Sequence, residues 1–263
     1  VHRAVRVVAP AGGTVTAVHR GERRALTSVV IDVDDRVEPV PAPPSPGSDG
    51  AALRALMLET GLWVALRTRP FLRVPAPDSE AAAIFVTVAD TRPHAVPPGI
   101  VLEGRERDFH DGLAALSRLA PDVYACVPEG LRVAAAPSVR VVQFAGPHPS
   151  GNAGWHVHSL LPVGPQRSVW TIGYQDVIAL GRLLNAGEVD MTRVVSLAGP
   201  GVTRPRLLRT RLGASLDDLT DGELRPGPQR VISGSVLDGR ARTSAADAFL
   251  GRHHLQIAVL PEG

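Results

Sequence analysis

The chain has 263 residues and 44% of them are hydrophobic, enough for a sizeable core in one large domain or two to three smaller ones. The formal charge is only +2, and no basic run is interleaved with aromatics, which argues against nucleic acid as a partner. All 28 Lys+Arg positions are arginine, so Schiff-base chemistry, a phosphate-loop lysine and a lysine-tethered lipoyl or biotinyl group are excluded; the single Cys126 excludes an internal disulfide and an all-cysteine iron–sulfur cluster.

No signal-peptide pattern is present, and the longest apolar run, AAAIFVTVA at 81–89, has strand length. A soluble, cytoplasmic protein is expected. The chain opens on Val1, without methionine, inside what reads as a strand, so a fragment of a longer chain is expected. Residues 1–36 alternate apolar and polar around Pro10, Gly12, Gly13 and Gly21, the pattern of a β unit with hairpin turns. APAGGTVTAVHRGERRAL is similar to part of a barrel-sandwich hybrid, the lipoyl-carrier type of fold, without the carrier lysine. Residues 37–50, VEPVPAPPSPGSDG, read as a linker, because five prolines favour extended backbone. Ser48 or Asp49 then offers an N-cap for a helix starting near Ala51.

From 51 to 199 helices and strands alternate. IFVTV at 84–88 is a buried-strand candidate. Residues 101–120 form one amphipathic helix with Phe109, Leu113, Leu116 and Leu119 on a side. VYACV, VRVVQF and SVWTI follow as strands, then a helix at 174–187 with Gly187 as C-cap, and TRVVSLA at 192–198 closes the set. This alternation predicts an α/β, Rossmann-like domain with a largely parallel sheet. Residues 200–263 change style, with strands at LLRTRLG, QRVISGSVL and LQIAVL and one short helix capped near Ser215. A β-grasp-like α+β domain is expected there. Cys126, in DVYACV, reads as a small core residue.

Residues 61–71, GLWVALRTRPF, sit where an α/β domain usually places a ligand loop. Arg67 and Arg69 beside Pro70 and Phe71 suit a planar or anionic partner; they equally suit a surface turn with solvated or paired arginines. His148, His156 and His158 lie in GPHPSGNAGWHVHSLLPV. His-x-His on a strand would share a face for a metal, but no cysteine or carboxylate is nearby to complete the set. The alternative is a Gly/Pro-rich loop with hydrogen-bonded imidazoles. SLAGPGVTRPR at 196–206 lacks a full dinucleotide fingerprint and reads as a connector between domains. Asp176 has no nucleophile placed beside it, and no Ser-His-Asp or Cys-His arrangement is visible.

Read together, the segments resemble the NqrA family, a subunit of the sodium-translocating NADH:quinone oxidoreductase, the respiratory sodium pump of bacteria. The strings that carry the resemblance run in order from APAGGTVTAVHRGERRALTSVVIDV through GLWVALRTRPF, AIFVTVADTRPHA, FAGPHPSGNAGWHVHSLLPV and YQDVIALGRLLNAGEVD to RPRLLRTRLGASLDDLTDGEL and LQIAVLPEG. The family is related to the flavin-binding subunit of complex I and to the C subunit of the Rnf complex, where a loop of the form GRGGAGFPT lies under FMN and nucleotide. Here Trp63, Leu66 and Arg67 stand in the space those glycines keep open.

The resemblance implies an SLBB-type C-terminal domain and a chain with no catalytic group, no metal and no FMN, NADH or iron–sulfur cluster of its own. Flavins and iron–sulfur centres are expected in other subunits of a complex that oxidises NADH, reduces ubiquinone and exports sodium. The chain is expected as a peripheral subunit on the cytoplasmic face of the inner membrane. Trp63, Leu66, Arg67, Arg69 and Phe71, with His148, His156 or His158 nearby, are the candidate contacts for a quinone head group or another subunit. A flavin/NADH-binding module, as in the relatives, is the competing expectation; a zinc enzyme built on the histidines is a third.

Overall fold

The computed structural model describes residues 2–34, 36–37, 41–43, 47, 49–164 and 166–262. They divide into two compact units: 1–8, 41–92 and 97–190 form the first, and 9–40, 93–96 and 191–263 the second. Much of the expected proline-rich linker, at 38–40, 44–46 and 48, lies outside the described residues, as does Val1.

The first two strands, β1 (Gly13–Arg20) and β2 (Leu26–Val33), form the expected antiparallel hairpin, with register shifts after Val15 and His19. Among the described residues it is a two-stranded sheet that leaves Val15, Val18, Val29 and Val33 exposed.

In the first unit, α1 (Gly50–Glu59) starts where Asp49 Oδ1 accepts the Ala52 amide at 2.7 Å. Ser48, the other cap candidate, lies outside the described residues. Strands β3 (Arg67–Arg69) and β4 (Ile84–Thr87) follow, then α2 (Pro98–Leu102), α3 (Glu106–Leu116), β5 (Val123–Pro128), β6 (Val139–Phe144), α4 (Ala153–Leu160), β7 (Val169–Gly173) and α5 (Tyr174–Ala186). The sheet order is β3-β7-β4-β5-β6. β7, β4, β5 and β6 are parallel, and only β3 runs antiparallel, along β7. Phe85, Tyr124, Cys126 and Val169 pack on one face against Val157 of α4. Alternate residues Ile84 and Val86 point the other way and are equally buried. Gly187 ends α5 in the left-handed conformation, as its sequence suggests.

Two local expectations need correction. The single helix over 101–120 is broken between α2 and α3, because Gly104 takes φ +73° and interrupts the ladder. The His-bearing segment is helical from Ala153 to Leu160 instead of a loop or a strand.

The second unit contains β8 (Thr192–Ala198), β9 (Arg206–Arg211), α6 (Leu216–Thr220), β10 (Gln229–Ser233), β11 (Arg240–Ala241) and β12 (Gln256–Pro261). The strand order is β11-β10-β12-β8-β9, with β12 parallel to β8 and the other pairs antiparallel. Ser215 Oγ caps α6 through the Asp218 amide, as expected. Leu216 packs with Val195, Leu197, Val231, Ile257 and Val259. β8 therefore belongs to this sheet and does not close the first one, so the expected domain border at 199 moves to 190/191. A periodic apolar strand reads the same in either sheet; its long-range pairing decides its place. SLAGPGVTRPR consequently joins two strands of one sheet and is not an interdomain connector.

Candidate functional site

The stretch at 61–71 divides into a buried half and an exposed half. Leu62–Ala65 form a buried 3-10 helix. Trp63 is 0% exposed; its Nε1 donates to the Pro75 carbonyl at 2.9 Å, and its ring meets Trp170 edge-on at 5.3 Å. The Arg54 guanidinium lies 5.1 Å from the Trp63 ring centre and donates to the Pro77 and Ser79 carbonyls. Leu66 is also 0% exposed. Trp63 and Leu66 are thus core residues and border no open site, a correction to the expected contact surface. Their size is used for packing. Arg67 turns back on its own backbone, donating from Nη1 to the Val64 carbonyl at 2.7 Å and the Leu66 carbonyl at 2.9 Å.

From Pro70 to Arg73 the chain faces solvent. Phe71 and Leu72 both adopt left-handed backbone, at φ +64° and +51°. Each such residue costs about 1–2 kcal/mol without glycine's freedom. Main-chain bonds hold the turn: Leu72 N donates to the Thr68 and Pro70 carbonyls, and Thr68 N donates to the Arg73 carbonyl. The side chains of Phe71 and Leu72 are nevertheless 80% and 55% exposed.

Beside this turn lies a groove of about 670 Å³ lined by Arg69, Pro70, Phe71, Val163, Gly164 and Arg167, among others. Arg69 Nε is buried without a hydrogen-bond partner among the described residues, and burial lowers the guanidinium pKa below its ordinary value. Arg69 Nη1 also approaches Gly154 at the start of α4. Arg73 sits 5.8 Å from the Phe71 ring centre. Val163, Arg167, Leu72 and Arg73 are not legible as site residues in the sequence. Arg167 and Val163 come from the loop before β7, and only the β3–β7 pairing brings them to Arg69. A clue is available in Pro70-Phe71-Leu72, an apolar run placed after a helix stop.

The three histidines do not converge. His156 is 0% exposed, with Nε2 2.9 Å from the Ser150 carbonyl and the ring centre 4.1 Å from that of Phe144. A carbonyl only accepts, so Nε2 carries the proton and Nδ1 faces the interior without a partner among the described residues. Burial pushes the imidazole down to about 4, against a smaller opposing effect of the Ser150 carbonyl. His158 is exposed on the opposite side of α4, because two residues along a helix turn through about 200°. His148 is exposed and lies 3.3 Å from Thr91 Oγ1. Among the described residues no three His, Cys, Asp or Glu side chains are grouped to hold a metal.

Open α/β sheets bind nucleotides in the crevice beyond the carboxyl ends of their strands. Here the loop before α4 packs beyond the end of β4. The Gly146–Asn152 loop descends onto the segment after β4, where Gly151 N donates to Thr91 Oγ1 at 3.0 Å. A Cβ on Gly151 would lie 2.5 Å from the Thr91 amide nitrogen and 2.9 Å from Asp90 Cα, so only glycine permits the contact. Asp90 accepts from Arg92 at 3.0 and 3.1 Å. Tyr174, Gln175 and Asp176, which open α5 at the end of β7, are buried, and burial drives the Tyr174 phenol up to about 12.

These features define a modular class: a barrel-sandwich segment, a Rossmann-like α/β domain, and a β-grasp-like SLBB domain. Family models described as the NqrA second alpha/beta domain, the NqrA C-terminal domain and the NqrA N-terminal barrel-sandwich hybrid domain match residues 48–189, 194–244 and 1–34, and the chain belongs to the NqrA family. It is 49% identical over 265 residues to the NqrA subunit of the Na(+)-translocating NADH-quinone reductase of Pseudomonas aeruginosa strain UCBPP-PA14, covering 98% of this chain and 59% of that protein. The corresponding subunit from Saccharophagus degradans is also 49% identical, with the same coverage. The chain thus spans 59% of the length of these relatives. The structure of an NAD+-reducing [NiFe]-hydrogenase in the H2-reduced state is similar with a TM-score of 0.53 at 14% identity, over 83% of this chain and 49% of that one, a likeness of fold alone. Among the described residues no helix is long and apolar enough to cross a membrane.

Proposed function

We propose that this chain is a cofactor-free, peripheral subunit of a sodium-translocating NADH:quinone reductase, a complex that oxidises NADH, reduces ubiquinone and exports sodium. It carries no electrons itself. It stabilises the complex on the cytoplasmic face of the membrane, with flavins and iron–sulfur centres held by other subunits. The observation that supports the cofactor-free reading is the Gly151–Thr91 contact, which sets main chain against the segment after β4, on the side where open α/β sheets take nucleotides. The arginine-lined groove at Arg69 and Phe71 is the surface offered to ubiquinone or to a neighbouring subunit. Of the expected set, Arg69 and Phe71 line this groove, Arg67 bonds to its own backbone, and His148 is exposed on the loop before α4.

The test is the full-length subunit, purified alone and within the complex. A colourless subunit without stoichiometric flavin is expected. A yellow preparation with FMN bound in the first unit would overturn the reading in favour of a flavin/NADH module. Quinone contact is read separately, by titrating ubiquinone against tryptophan fluorescence, with exposed Trp155 as a reporter near Arg69. Binding that disappears on Arg69→Ala supports the quinone role. No binding, with pump activity intact in Arg69→Ala, ends it.

A further inference from the structure

We infer that the groove beside the Phe71–Leu72 turn receives a segment of another subunit that presents an apolar or aromatic side chain next to a carboxylate. This rests on the reading of the chain as one subunit of a larger complex. Three observations on the same surface support it. Phe71 and Leu72 are held in water on left-handed backbone by bonds to Thr68 and Pro70, so the apolar projection is preformed. A turn that places two large apolar side chains in solvent under backbone strain is suited to burial against a partner. The charge around it has one sign. Arg69 and Arg167 line the groove with Phe71, and Arg73 lies 5.8 Å from the Phe71 ring centre; among the described residues no Asp or Glu lines the groove. Arg69 and Arg167 both line the groove, and a guanidinium there is a ready donor for a carboxylate. Finally, a groove of about 670 Å³ has room for a few side chains of an extended or helical segment.

A bare anion would satisfy the arginines and leave Phe71 and Leu72 wet. A lipid surface would cover the apolar tip and leave Arg69, recessed in the groove, unmatched. An acidic-apolar polypeptide segment answers both.

The experiment uses the complete complex assembled with Phe71→p-benzoylphenylalanine in this chain, irradiated and digested for mass spectrometry. Position 71 is exposed enough to carry the probe, and Leu72→p-benzoylphenylalanine repeats the measurement from the neighbouring side chain. The expected result is an adduct to one peptide of another subunit with an Asp or Glu a few residues from the attachment point. Arg167→Glu should lower the adduct yield about ten-fold, and reversing the partner carboxylate to Arg should restore it. An adduct to lipid, to quinone, to another part of this same polypeptide or to a peptide without a nearby carboxylate overturns the inference, as does no adduct from either position in an assembled complex. Failure of the unsubstituted chain to co-purify with the other subunits would instead refute the proposed function.

Discussion

Replacing Trp63 by alanine separates a core residue from one that lines a ligand site. The indole is fully buried between Trp170 and Arg54. Deleting a buried aromatic of this size costs about 3–5 kcal/mol, from lost burial and the cavity left behind. The Pro75 carbonyl also loses its donor, worth about 1 kcal/mol. Domains have only about 5–15 kcal/mol in hand, so a large share of the first unit's stability should go. With a urea dependence of about 2 kcal/mol per molar, the unfolding midpoint of that unit should fall by about 2 M. Urea titration followed by far-UV circular dichroism and by the fluorescence of Trp170 reads it. Trp63→Phe keeps most of the ring and loses the N–H, and should fall by about 1–2 kcal/mol. A midpoint for Trp63→Ala within about 0.3 M of the parent would refute the assignment to the core and return Trp63 to the contact surface.

Phe71→Gly should stabilise the isolated chain by about 1 kcal/mol, because glycine adopts φ +64° freely and the lost side chain is exposed; a lower thermal midpoint would contradict this. Gly151→Ala should destabilise the first unit by about 1–3 kcal/mol, since the new methyl meets main chain at Thr91 and Asp90, and unchanged urea stability would show the loop to be free to move. His156 should make the protein acid-sensitive: the unfolded imidazole takes a proton near its ordinary 6.5 while the buried one resists until about 4, so about 3 kcal/mol present above the upper value is lost as the pH falls to the lower. His156→Gln should flatten that part of the stability–pH curve, and an unchanged slope would refute it. Cys126 is fully buried with its thiol pushed up to about 12, so a thiol reagent at neutral pH should modify it only at the rate of unfolding; fast labelling of the native protein would contradict its burial.

The elements legible in sequence are those whose signal is local. IFVTV, VYACV and VRVVQF are apolar runs of strand length, and YQDVIALGRLLNAG carries a helical period with its own glycine stop. Less legible are elements defined by distant partners. β3 is only Arg-Thr-Arg, polar and short, and becomes a strand by pairing with residues 169–171. β8 joins the second sheet because β9 and β12 flank it. The glycines and prolines before Ala153 mask α4, although Asn152 stands at its N-cap position. The candidate site is half legible. Arg69 and Phe71 lie on the groove, whereas Trp63 and Leu66 draw notice for what they displace, although their apolar spacing already indicates packing. Arg167 carries no local signal, since its proximity to Arg69 exists only in the folded sheet.

The position of β12 has a consequence for synthesis. Among the described residues it comes last in sequence in its sheet yet lies in the interior, between β10 and β8, which share no other bridge there. During translation β8–β9 and β10–β11 can form as separate hairpins, but their union waits until Gln256–Pro261 has left the ribosome. Chains stalled or clipped just before that point would present two raw sheet edges, a state for chaperones to hold and proteases to clear.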